Sequence, residues 1–195
     1  MERPQYVKGN REGSLLPVDK AEAKKYLRVD PDYTDEDTVI DMIIAGQMSE
    51  IEQRTSLFLQ VINLEIYPSS FERVIVLPFS PVQDIDDLEI KYLPPGETDF
   101  DAQSEIDPDN YTVMNGRPWP EKIIFHKNYD IPSVNTDVPR CIQIKGKFGY
   151  NTIPPGLLSY FYFLIGFQWL HREDPPAGIP TYVEKGLERW KVKYY

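Results

Sequence analysis

Residues 154–170 read Pro154-Pro155-Gly156-Leu157-Leu158-Ser159-Tyr160-Phe161-Tyr162-Phe163-Leu164-Ile165-Gly166-Phe167-Gln168-Trp169-Leu170. Eleven of the fourteen residues from Leu157 to Leu170 are apolar. Proline suits the first turn of a helix, where its missing N–H is not needed, so a helix is expected from Pro155 onward. The aromatic residues fall all around the 3.6-residue turn, and a helix apolar on every side has to be covered on every side. The run is shorter than the ~20 residues that cross a bilayer, so no membrane span is expected. Cover comes either from the rest of this chain or from a neighbouring copy, and the sequence leaves both open.

Downstream, a short helix is expected from Pro180 to about Trp190, followed by the tail Lys191-Val192-Lys193-Tyr194-Tyr195. Far upstream, Asp19 and Glu22 form a capping-box pattern that opens a helix from Lys20 to about Val29, burying Ala23, Tyr26 and Leu27. The residue ahead of Pro31 disfavours helix and stops it. Thr34 and Asp37 repeat the capping pattern and open a longer helix, about Asp35 to Phe58. Its Ile40, Ile43, Ile44, Gln47, Ile51, Thr55 and Phe58 follow the spacing of one face. Gln47 and Thr55 on that face point to contact with another protein surface. A short connection makes the two helices an antiparallel pair.

Between the helical parts the period changes to that of strands. Val61 to Tyr67, Arg73 to Leu77, Ile85 to Leu93, Tyr111 to Val113, Lys122 to Phe125 and Cys141 to Phe148 are strand-like. Short strands separated by turn residues predict an antiparallel sheet or small sandwich. Pro94 to Asp109 carries six acids and no base, and reads as a solvated loop. Residues 1–16 are polar with Gly9, Asn10 and Gly13, and read as a flexible arm. Met1 to Pro17 lacks the apolar run of a signal peptide, so secretion is not expected.

The 195 residues carry 31 acids against 21 bases, a formal net charge of −10, and the excess is local. Residues 30–109 hold twenty acids and three bases, while the segments on either side are mildly basic. Binding to nucleic acid needs clustered Lys and Arg to displace counterions, and no such cluster is present. An acidic surface keeps the chain soluble, and beside DNA it would repel the phosphates.

Catalytic and metal patterns fail one by one. One cysteine (Cys141) and two histidines (His126, His171) rule out a Cys/His zinc site or a disulfide within one chain. Asp30 to Asp35 begins like a calcium loop but lacks the glycine its turn needs. There is no G-x-S-x-G elbow, Walker pattern or G-x-G-x-x-G. Acid pairs abound, but no local motif selects any two for acid–base work. No catalytic residue, metal ligand or cofactor is assigned.

The order of the segments is more telling. An acid-rich helical hairpin precedes Leu77-Pro78-Phe79-Ser80-Pro81-Val82, then Asp109-Asn110-Tyr111-Thr112-Val113 and Trp119-Pro120. Ile142 to Lys145 leads to Phe148-Gly149-Tyr150, and Ile153-Pro154 opens the aromatic helix. Over roughly residues 17–175 this resembles the head–tail connector (adaptor) proteins of tailed bacteriophages, of the type with a β-insertion. Lys147-Phe148 stands where an alanine is common in them, and the 94–109 loop is long.

The resemblance implies an α+β fold in one connector domain over 1–195. In it a helical hairpin (17–60) and the C-terminal helices (154–190) pack together, with an inserted antiparallel β-sheet or small sandwich (61–150). It implies a virion structural protein of the neck, not an enzyme, assembled in the host cytoplasm. About twelve copies would form a ring below the portal protein, extend the DNA channel without binding DNA specifically, and dock a stopper or tail-completion protein. Apolar surface for that ring would come from Phe161, Phe163, Phe167 and Trp169. The tail, with Trp190, Lys191, Lys193, Tyr194 and Tyr195, mixes aromatics with lysines in the way of an anchor on the portal. Two competing readings are another neck or capsid-associated protein, and a carboxylate-based hydrolase or nuclease.

Overall fold

The computed structural model describes residues 6–11, 17–68, 70–100, 104–114, 121–174 and 178–193. Within them α1 spans Lys20–Leu27, α2 Asp37–Thr55, α3 Pro155–Leu170 and α4 Thr181–Leu187. The strands are β1 Tyr6–Arg11, β2 Ile62–Tyr67, β3 Val74–Val76, β4 Glu89–Tyr92, β5 Tyr111–Met114, β6 Lys122–Phe125 and β7 Ile142–Phe148. The fold is α+β, as expected, with a helical layer at one end and a β-sandwich at the other.

The helices share one core. Ala23 of α1, Ile40, Ile44 and Ile51 of α2, and Phe161 and Ile165 of α3 are all fully buried in it. Asp19 caps α1 as expected, accepting from the Ala21 amide at 3.2 Å. The side chains facing inward differ from the expected set: Tyr26 is half exposed, whereas Lys24 is buried. Lys24 Nζ is satisfied by the carbonyls of Tyr33 (2.8 Å) and Pro31 (3.2 Å) and by the Asp37 carboxylate. That carboxylate is thereby drawn away from capping, and α2 starts at Asp37, two residues later than expected. Hydrogen bonding to Lys24 holds Asp37 below the usual carboxylate range, with Lys20 adding to it.

At its other end α2 stops at Thr55, short of the expected Phe58, because Ser56 turns left-handed (φ 58°). Leu57 and Phe58 then run alongside Ser80. Thr55 faces no partner protein: it is fully buried, and its hydroxyl donates to the Ile51 carbonyl at 2.7 Å.

All strand pairs are antiparallel, in two sheets of order β1-β2-β7-β4 and β3-β6-β5. Ile62, Leu64, Ile66, Ile90 and Ile144 from one sheet meet Ile75, Ile123 and Phe125 from the other in a second core. The sequence left sheet or sandwich open, and this shared core makes it a sandwich. Residues 6–11, expected in a flexible arm, form the edge strand β1, held on β2 in the register Gly9↔Leu64. Its alternation of Val7 and Gly9 with Lys8 and Asn10 fits a strand with one wet face. Strand β4 is shorter than expected, since Asp84 to Leu88 close into turns. The 94–109 loop is not wholly solvated: Ile106 is buried and its amide donates to the Ile90 carbonyl at 2.8 Å.

The Leu77–Val82 segment is the seam between the two cores. The Ser80 carbonyl and amide bond Phe58 and Ser56, and Pro81 accepts from the Gly149 amide at 2.7 Å. The buried Glu121 carboxylate accepts from the Val82 amide at 2.6 Å. Gly149 (φ +108°) turns the chain out of β7 towards α3, and a Cβ there would lie 2.0 Å from the Gln60 carbonyl oxygen.

Candidate interaction surfaces

Helix α3 is the most apolar element, and its surroundings decide what the protein can bind. One side, Leu157, Phe161, Leu164 and Ile165, is enclosed by α1, α2 and α4. Phe161, named above as an interface candidate, is fully buried and therefore belongs to the chain's own core. The opposite side keeps Phe163, Phe167 and Trp169 only partly covered, and Leu170 stays 80% exposed.

The covering that exists is aromatic. Phe163 lies parallel to Phe167 (centroids 6.3 Å) and edge-on to Tyr182 of α4 (4.8 Å). His171 continues the row at 4.7 Å from Phe167. On the α1 flank Tyr26 meets Tyr162 at 5.1 Å and lies over Gly166. Burial pushes the Tyr162 hydroxyl up to about 12, reinforced by Glu22, to which it donates at 3.2 Å. Trp169 is capped by the Arg172 guanidinium at 4.2 Å, and Arg172 also pairs with Glu36 at 3.5 Å. Tyr182 and Tyr26, 55% and 48% exposed, complete a solvent-facing aromatic surface with Phe163, Phe167 and Leu170. Neither tyrosine was selected from the sequence. The signal for Tyr182 is the spacing of α4, which sets Val183 and Leu187 inward and Tyr182 outward.

The tail is anchored at its base. Trp190 is partly buried and packs beside Gly156, and Val192 is buried in the helical core with its amide bonded to the Thr55 carbonyl at 2.9 Å. Lys191 pairs with Glu188 at 3.8 Å, and Lys193 is exposed. Tyr194 and Tyr195 lie outside the described residues, as do Trp119 and Pro120.

The wet face of the four-stranded sheet forms an open concavity of about 940 Å³ in which Lys8, Lys145 and Lys147 stand among Glu65, Asp86, Asp87, Glu89 and Glu105. Lys147 reaches Asp87 at 3.5 Å, and Lys145 reaches Glu65 at 3.9 Å. Exposed pairs of this kind contribute little to stability and give no single-signed field.

Cys141, His126 and His171 do not converge on one site. Cys141 is half-buried and burial raises its thiol pKa, the reverse of an activated nucleophile. His126 Nε2 is 2.9 Å from the Thr112 hydroxyl on the sandwich, and His171 sits on the helical layer. Among the described residues no group of three His, Cys, Asp or Glu is placed to hold a metal ion, and no helix is long and apolar enough to cross a membrane.

No family model and no curated protein matches the chain. Solved structures do. A chain of the neck of the empty GTA particle, computed with C6 symmetry, matches with TM-score 0.69 and 17% identity, covering 96% of this chain and 97% of that one. A chain of the virion of the native gene transfer agent (GTA) particle matches with TM-score 0.71 and 16% identity over 96% of both. A chain of the neck of the native GTA particle, computed with C12 symmetry, gives 0.66 and 15% over 96% and 97%. The chain therefore shares, from end to end, the fold of proteins built into gene transfer agent particles.

Proposed function

We propose that this protein is a structural subunit of a phage-like virion neck, a head–tail connector of the β-insertion type. The observation that carries the reading is end-to-end agreement of fold with chains of GTA necks, at 96% coverage of this chain. Supporting it, the segments quoted for the resemblance hold structural positions: Leu77–Val82 forms the seam, and Gly149 makes the turn into α3. The C6 and C12 symmetries of those necks support self-association into a ring, for which the proposal takes about twelve copies. In that ring the exposed aromatic surface with Phe163, Phe167 and Trp169 contacts other subunits. The acids of residues 30–109 give the channel a charge that repels DNA phosphates. The ring sits under the portal, with the tail beyond Val192 reaching onto it, and it presents a docking surface for a stopper or tail-completion protein. The role is mechanical, with no turnover.

The test is negative-stain imaging of the full chain, alone and with its portal. Rings, or a collar on the portal, are expected. Absence of both, together with metal-dependent hydrolysis abolished by one carboxylate substitution, would overturn the reading in favour of an enzyme.

A further inference from the structure

We infer that subunits meet head to tail through two unlike faces of the helical layer, the α3–α4 aromatic face of one copy lying on the outer face of α2 of the next. This rests on the reading as a ring subunit and adds to it the pair of surfaces.

The two faces look away from each other. Phe161 and Ile165 of α3 and Ile40, Ile44 and Ile51 of α2 point into their shared core. Leu170 and Phe163 on one helix, and Met42 and Gly46 on the other, therefore point outward from it. The first face is large and projecting: Leu170 is 80% and Tyr182 55% exposed. Tyr182 and Lys185 on α4 and Arg189 in the turn that follows it recur at spacings of three and four, and all three are exposed. Neither cation has an ion-pair partner among the described residues.

The exposed positions of the second face carry no charge, and Glu50 and Arg172 border the groove beside them. Thr38, Met42, Gly46, Ser49 and Gln53 are the exposed outer positions of α2, and Met42 is 64% exposed. A Cβ on Gly46 would meet nothing within 4 Å, and a groove of about 530 Å³ runs beside it towards Ile179. Five outer positions without charge stand out in a stretch, residues 30–109, that holds twenty acids. An uncharged strip is what a contact that loses its water requires. Just ahead of this face the loop exposes Asp30, Asp32 and Asp35 around Tyr33.

Charge and shape choose the occupant. Like on like would set Lys185 and Arg189 against their own copies, and the three aspartates against theirs. Unlike on unlike sets cations beside carboxylates and projecting aromatics over small side chains, and both halves are carried by this one chain. A contact between unlike faces repeats from copy to copy and closes into a ring when the rotation per copy divides a full turn.

The experiment uses the full chain in a Cys141→Ser background, with Met42→Cys and Leu170→Cys singly and together, and a short bis-maleimide. Circular dichroism verifies that these surface variants are folded. The double variant should give a ladder of products beyond dimer, and each single variant none. Lys185→Glu/Arg189→Glu and Asp32→Lys/Asp35→Lys should each lose assembly by about tenfold alone and regain it when mixed. Dimers from a single-cysteine variant would show a like-on-like contact and overturn the pairing. Rings by imaging without the ladder would overturn the pairing and leave the ring standing. Neither rings nor ladder, on the portal as well as in isolation, would end both.

Discussion

The amide of Val192 donates to the carbonyl of Thr55 at 2.9 Å, tying the last described turn of the chain to the C-terminal end of α2. Val192 is 3% exposed, so the chain lies inside the helical core at this point, and the proposed anchor on the portal would have to come from beyond it. Removing Tyr194 and Tyr195 should leave the melting temperature unchanged and weaken portal co-sedimentation. Val192→Ala should cost about 1–2 kcal/mol by the lost methyl groups, read by denaturant titration. An unchanged midpoint would show that the contact does not hold the tail.

Lys24 joins α1 to the α1–α2 loop through two carbonyls and Asp37. Lys24→Met leaves these acceptors without their cation and should cost about 1–3 kcal/mol in thermal or denaturant unfolding.

The same cluster predicts a pH dependence. Because Asp37 is held below the usual carboxylate range in the folded chain, its contribution is complete above the unfolded-state pKa and is lost as pH falls through the lower, folded one. Unfolding followed below pH 5 should therefore show an acid-side loss of stability that is flatter in Lys24→Met. Equal slopes in the two proteins would remove Asp37 from the account.

Gly149 has no room for a side chain and sits at a positive φ. Gly149→Ala should cost about 2–4 kcal/mol or abolish soluble expression. A variant with wild-type stability would mean that the turn from β7 towards α3 is built differently.

Neighbouring phenylalanines on α3 should behave differently. Phe161→Ala removes a fully buried ring and should cost about 3–5 kcal/mol. Phe163→Ala, half-buried beside Tyr182, should cost about 1 kcal/mol in the monomer and act mainly on assembly. Comparing melting with ring yield separates the two. A ring-competent Phe163→Asp chain would place the interface elsewhere.

Helix α2 and its inward isoleucines, the cap at Asp19 and the strands β2 and β7 follow from local pattern, since period and capping are properties of residues a few positions apart. So does the lack of any zinc or nucleotide-binding motif, because one cysteine and two histidines are too few for a Cys/His site and no glycines stand at Walker or G-x-G-x-x-G spacing. Tertiary structure alone decided the rest. Lys24 went inward because the loop carbonyls of Pro31 and Tyr33 could satisfy an ammonium there, and Tyr26, expected inside, stayed half exposed. Residues 6–11 became a strand because β2 offered an unpaired edge. Val192 went inward because the end of α2 left a carbonyl and a hollow for it. Which side of α3 stays bare was fixed by where α1 and α4 dock: a run apolar all round has no preferred face until its neighbours choose one.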